Sequence, residues 1–183
     1  DRAEDLSPEA ATRRLVWRYL GAHGPASERD LAWWCHLPLS QLRPALRSFR
    51  DGLRAYAYRG ETLWARADTV RDAAPPAERI MLLPGFDELL LGYQDRSATL
   101  APAHAVHVTP HNNGIFRRTV TRDGRVIALW NARPGAGGVT VEVTGLSRDL
   151  AERDLPGLRR AATRYARYLG LPKARVQLRA PLP

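Results

Sequence analysis

The chain has 183 residues, with 28 Lys and Arg against 19 Asp and Glu, a formal charge of +9, and Lys173 is its one lysine. A 44% hydrophobic composition with five Trp and six Tyr can bury a real core, which excludes wholesale disorder. No apolar run approaches the roughly 18 residues of a membrane span, and a single cysteine, Cys35, excludes an internal disulfide or a cysteine zinc cluster. The expectation is a soluble, cytoplasmic protein with a polyanion as partner, most directly nucleic acid, although a GC-rich coding sequence also favours arginine over lysine.

The first third of the chain is patterned for helices. Ser7 is a good N-cap with Pro8 at the first helical position, and Leu15, Val16, Tyr19 and Leu20 form the apolar stripe of a first helix that ends in the Gly21 to Gly24 region. Ser27 followed by Asp30 reads as a capping box opening a second helix of about two turns through Leu31, Trp34 and Cys35. Leu39, Leu42, Leu46 and Phe49 then recur three and four apart, which predicts a third helix with Gln41, Arg43, Arg47 and Arg50 outward. Pro44 lies near the start of that helix, so its first turn is expected late. Residues 53–58 and 62–65, flanking Arg59-Gly60-Glu61, read as a β-hairpin. Three helices followed by a hairpin is the order of a winged helix-turn-helix, with the hairpin as wing.

The segment Asp72-Ala73-Ala74-Pro75-Pro76 forbids a continuing helix and predicts a linker, dividing the chain into a winged-helix domain at 1–74 and a β-rich domain at 75–183. In the second part residues 79–83 read as a buried strand. Residues 115–122 and 125–130 are joined by Asp123-Gly124, a two-residue hairpin turn. Simple pairing across it places Arg122 opposite Arg125, Val120 opposite Ile127 and Arg118 opposite Leu129. A strand at 139–144 follows Pro134-Gly135-Ala136-Gly137-Gly138, which reads as flexible; Leu155, Leu158, Ala162, Tyr165 and Leu169 mark an amphipathic helix, and 175–179 reads as a last strand. The expected class is therefore α+β, a winged helix-turn-helix followed by a barrel-like β-rich domain with a C-terminal amphipathic helix.

The charge is uneven. Residues 1–75 hold 12 bases and 10 acids, and residues 76–183 hold 16 bases and nine acids, so the net is +2 before the linker and +7 after it. Two surfaces are candidates for DNA. The third helix carries Gln41 and Arg43, with Arg47 and Arg50 beside them, and has the donor and acceptor chemistry to read base edges; its bland reading is a solvated face of a packing module. The hairpin carries Arg122 and Arg125 at its tip and Arg117 and Arg118 at its base, a basic ribbon able to probe a minor groove or clamp phosphates; its bland reading is a solvated turn.

Other clusters are weaker. His104, His107 and His111 lack a nearby acid and are broken by Pro110, so neither metal nor cofactor is expected. Asp87 reads as the cap of a helix starting at Glu88, and Asp95 as the ion-pair partner of Arg96 or another arginine, in preference to acid–base roles. Adjacent Trp33 and Trp34 point different ways on a helix, so at least one belongs to the core, and Cys35 is expected buried and inert. No nucleophile elbow or glycine-rich phosphate loop is present.

Two stretches carry a family likeness. Gly24-Pro25-Ala26-Ser27-Glu28-Arg29-Asp30-Leu31-Ala32-Trp33-Trp34 with Leu37-Pro38-Leu39, and Leu82-Leu83-Pro84-Gly85-Phe86-Asp87-Glu88 running to Gly92-Tyr93-Gln94-Asp95-Arg96, resemble the AlkZ/YcaQ-type winged-helix DNA glycosylase superfamily. Asn112-Asn113-Gly114-Ile115-Phe116 and Asp123-Gly124-Arg125-Val126 are similar as well. The resemblance implies tandem winged helices and a C-terminal β-barrel, excision of alkylated purines by hydrolysis of the N-glycosidic bond, and a β-hairpin that assists DNA engagement. It also implies a catalytic Gln-x-Gln or Gln-x-Asp, which the glutamines here, Gln41, Gln94 and Gln177, do not form. With Met81 the one methionine, the expectation is the DNA-binding C-terminal portion of a longer glycosylase. Its partners would be double-stranded DNA and the protein's own N-terminal winged-helix region, in the bacterial nucleoid. The alternative is a non-catalytic winged-helix regulator or adaptor.

Overall fold

The structure is a computed structural model that describes residues 5–69, 80–110, 114–146, 150 and 152–182. The linker at 72–76, Arg79, His111, Asn112 and Asn113 lie outside the described residues. The chain divides into two units, Asp1–Ala74 with Leu91–Asp95, and Pro75–Leu90 with Arg96–Pro183. No helix among the described residues is long and apolar enough to cross a membrane.

In the first unit α1 spans Pro8–His23, with the Ser7 side chain accepting from the Ala10 amide. Helix α2 spans Glu28–Cys35 behind a complete Ser27/Asp30 capping box, and His36 in the left-handed region (φ 56°) ends it. Helix α3 spans Leu39–Arg47 and tolerates Pro44 inside it, so it starts earlier than the proline suggests. It also stops before Arg50, which belongs to the following 3-10 turn Arg50–Gly52. Strands β1 (Leu53–Tyr58) and β2 (Glu61–Arg66) pair antiparallel around Arg59-Gly60. Val16, Tyr19, Leu20, Leu31, Leu42 and Leu46 meet in the core, with Trp34 and Phe49 packed against it; Trp33 stays exposed. Cys35 is a half-buried free thiol. Gly24 allows a close backbone approach, since a Cβ there would lie 2.5 Å from the Leu20 carbonyl oxygen.

The excursion 91–95 is fastened to this unit by polar contacts rather than by regular structure. Asp30, 4% exposed, caps its own helix and accepts from the amides of Gln94 (2.8 Å) and Asp95 (3.2 Å). Tyr19 donates to the Gly92 carbonyl at 2.8 Å, and Tyr93 donates to that of His23 at 2.6 Å.

The second unit is built on a five-stranded sheet in chain order: β3 (Ile80–Leu83), β4 (Thr119–Arg122), β5 (Arg125–Gly135), β6 (Gly138–Gly145) and β7 (Ala174–Arg179). Neighbours are antiparallel except β6 and β7, which run parallel. Short helices α4 (Glu88–Leu91) and α5 (Ala105–Val108) lie between β3 and β4. A parallel pair needs a crossover, and α6 (Leu155–Tyr168) supplies it. Its Leu158 and Ala162 pack with Ile80, Val120, Trp130, Val141 and Val143. Gly157 lets helix and strand meet closely, because a Cβ would fall 2.6 Å from the Ile80 side chain.

Three expectations change here. The barrel-like closure is not present among the described residues: β3 and β7 are the two edges of an open sheet, whose parallel last pair is joined by a helix instead of a returning strand. The hairpin register holds at Arg122 with Arg125 but then slips, pairing Val120 with Ala128 and Thr119 with Leu129. The extra residue is Ile127, in a β-bulge that lets both Ile127 and Ala128 be buried. The glycine-rich stretch predicted to be flexible is ordered, with β5 running through Pro134 and Gly135 to a tight turn into β6.

Candidate nucleic-acid interface

Two of the four candidate residues assigned to the third helix are engaged within their own unit. Arg43 Nε donates to Glu28 at 2.8 Å, and Gln41 Nε2 donates to the Thr12 hydroxyl at 3.0 Å. Both side chains are thereby oriented by neighbours on α1 and α2. Arg47 and Arg50 are exposed, the first on the last turn of α3 and the second beyond it.

The two arginines at the hairpin tip are not equivalent. Arg122 forks Asp154 through Nη1, at 3.1 Å to Oδ1 and 2.9 Å to Oδ2. The Asp154 side chain is 4% exposed and that of Arg122 is 23% exposed. This pair ties the strand end to the 3-10 turn Glu152–Asp154 before α6. Arg125, directly opposite, is exposed. The tip is also no thin ribbon, because β4 is flanked by β3 and β5 by β6.

Arg117 and Arg118 lie just ahead of β4 and line a cleft of the second unit of about 970 Å³. Arg118 stacks over the Trp130 ring at 5.3 Å, a contact that leaves its hydrogen-bonding fork available. The one carboxylate among the described lining residues, Glu142, is taken by Arg133 at 3.3 Å and by Arg179. No described carboxylate pairs with Arg117 or Arg118. The cleft therefore keeps uncompensated positive charge, and Asn131 adds amide donors and an acceptor on its wall.

One lining residue was missed by sequence reasoning. Phe86 has φ 60°, a left-handed conformation that a bulky side chain avoids at a cost of about 1–2 kcal/mol. The residue is 56% exposed. Gly85 explains the forced turn, since a Cβ there would meet the Phe116 carbonyl oxygen at 2.8 Å. The available signal was Pro84-Gly85 immediately before an aromatic, which the neighbouring carboxylates drew attention from. Asp87 and Glu88 do play the structural part expected of them: Asp87 Oδ1 accepts from the Leu89 amide at 2.9 Å and caps α4. The Asp95 amide donates to Asp30, and Arg96 Nε donates to the Leu90 carbonyl at 2.6 Å. His104 ends the 3-10 turn Pro102–His104 and His107 lies in α5.

Three comparisons bear on this surface. A family model described as DNA glycosylase AlkZ-like matches residues 1–168. An interstrand DNA cross-link repair glycosylase of Streptomyces sahachiroi is 32% identical over 130 residues, which are 67% of this chain and 34% of that protein. The solved structure of Streptomyces sahachiroi DNA glycosylase AlkZ aligns with a TM-score of 0.79 at 24% identity, over 97% of this chain and 48% of that one. The chain thus spans about a third of the curated relative it matches and about half of the solved chain whose fold it shares.

Proposed function

The chain belongs to the DNA glycosylase AlkZ-like family, and from that premise we propose that it is the DNA-holding C-terminal portion of a longer glycosylase that removes alkylated purines. In this reading residues 1–74 form a winged helix and 75–183 the second DNA-binding module. The catalytic glutamine motif and an N-terminal winged-helix region lie outside this sequence. The observation that carries the reading is the family match together with arginines that keep their charge for a ligand: Arg117, Arg118 and Arg125 in the second unit, which holds most of the net charge, and Arg47 and Arg50 in the first. Gln41, Arg43 and Arg122 join them by releasing or sharing their internal partners. Cross-linked DNA, which the Streptomyces sahachiroi relative is named for, is a candidate lesion.

Fluorescence anisotropy with a short duplex tests the holding role. The 183-residue chain should bind with an affinity that falls steeply with salt, by roughly 0.9 in log–log slope for each phosphate contacted. A triple Arg117→Ala, Arg118→Ala, Arg125→Ala variant should weaken binding and flatten that slope; unchanged binding overturns the assignment. A second reading, a non-catalytic winged-helix regulator or adaptor, draws on the helix–helix–helix–hairpin order and on the unpaired glutamines. The gene's upstream sequence separates the two: a Gln-x-Gln or Gln-x-Asp there supports the enzyme, and a ligand-sensing or dimerisation segment supports the regulator. Under the first reading this chain alone releases no base from 7-methylguanine DNA.

A further inference from the structure

The stretch running from Leu82 to Arg96 is nearly all accounted for by architecture. Leu83 accepts from Trp130 Nε1 at 2.8 Å, Asp87 caps α4, and Gly92, Tyr93, Gln94 and Asp95 fasten to the first unit. Phe86 is the exception. It stands exposed on a left-handed backbone in the wall of a basic cleft. A strained, solvent-facing aromatic is disfavoured twice over, and such positions concentrate where a ligand uses them. The Phe116 ring lies tilted beside it, 6.3 Å away at 54°, and more than half of the residue's surface stays exposed.

We propose that this cleft binds one unpaired nucleotide, with the Phe86 ring stacking on its base, Arg117 and Arg118 holding its phosphate and Asn131 facing the base edge. The inference rests on the DNA-holding reading and deepens it. Stacking on an aromatic serves any base, because every base has a π-face, and cationic side chains beside it track the backbone. Within a duplex the bases are stacked on each other, so the ligand is a nucleotide that has left the stack, such as one displaced at a lesion. The charge of the cleft suits this ligand: its carboxylate, Glu142, is neutralised by Arg133 and Arg179, leaving Arg117 and Arg118 for an anion.

The test compares the 183-residue chain on two labelled duplexes, one fully paired and one with a single unpaired thymidine, by fluorescence anisotropy. Phe86→Gly removes the ring while suiting the positive φ, so folding is preserved, and Phe86→Tyr restores a stacking face. Native protein should favour the unpaired-base duplex; Phe86→Gly should lose about tenfold in affinity for it and keep its affinity for the paired duplex, with Phe86→Tyr restoring the preference. Native protein that binds both duplexes equally, or a Phe86→Gly variant that retains the preference, overturns the nucleotide site and leaves the holding role standing. Binding to neither duplex overturns both. If Phe86→Gly leaves DNA binding untouched but weakens association with the rest of the longer protein, the ring is a protein contact and the proposal is wrong.

Discussion

The two units differ in how much basic charge their acids leave over. In the first, three arginines are closed by acids, Arg43 with Glu28, Arg29 with Glu61 at 3.5 Å, and Arg66 with Asp68, while Arg47 and Arg50 stay exposed. In the second, Asp154 and Glu142 are taken by Arg122, Arg133 and Arg179, and a remainder including Arg117, Arg118 and Arg125 faces solvent without a described acidic partner. Net charge is thus a poor map of binding charge, because an internal pair adds nothing to the field a ligand meets. The useful quantity is what is left after pairing, and the sheet unit, with the larger net charge, holds more of it.

The contrast is broken most severely at Asp30, where the first unit closes a charge by burying it. Asp30→Ala strips acceptors from the Ser27, Gln94 and Asp95 amides together. A loss of about 3 kcal/mol in urea-induced unfolding is expected, with no direct effect on the arginines of the sheet unit. Next in size is the asymmetry at the hairpin tip. Arg122→Ala leaves the buried Asp154 without its fork and should cost about 2 kcal/mol, discounted because Arg122 is partly exposed. Arg125→Ala should change stability by less than about 0.5 kcal/mol while weakening duplex binding. Equal stability losses at the two positions would show that the tip arginines are interchangeable after all.

How much of this was readable depends on the range of the interaction. Ser7, the Ser27/Asp30 box and Asp123-Gly124 act over two to four residues, so α1, α2 and the tip pairing of Arg122 with Arg125 were legible in the sequence. The slip at Ile127 was not, because a bulge reflects which side chains the packed sheet will bury, and that is fixed by α6 and the neighbouring strands. Asp30 shows the same limit: its capping role is local, whereas its second role, holding amides 64 and 65 residues away, is created by the fold. The candidate arginines were identified by type and position, but which were engaged became visible only with their acids in place. For Arg122 that acid is 32 residues downstream. Phe86 was hidden because exposure and a left-handed φ are properties of the folded backbone.

Finer tests compare the remainders directly. Arg117→Ala should reduce the salt slope of duplex binding by about 0.9 if it holds one phosphate, and Arg43→Ala should reduce it less, since Glu28 competes for that guanidinium. Equal reductions would mean that DNA draws Arg43 away from its acid, and the two units would then differ in stability but not in binding charge. The smallest effect is expected at Arg66 and Asp68. Hydrogen bonding from Arg66 holds the Asp68 carboxyl below its ordinary range, with desolvation opposing it and the guanidinium's charge adding to it. A depressed folded pKa stabilises the native state above the unfolded value, and that contribution disappears as pH falls through the folded one. The pair should therefore be intact at neutral and mildly acidic pH and open only below the usual carboxylate range. Carbon-13 NMR titration should find the Asp68 midpoint below that of a free aspartate and returning toward it in Arg66→Gln. A native midpoint at the free value would show that the first unit does not close this charge, and that Arg66, stacked over Trp17 at 4.2 Å, belongs with the available arginines instead.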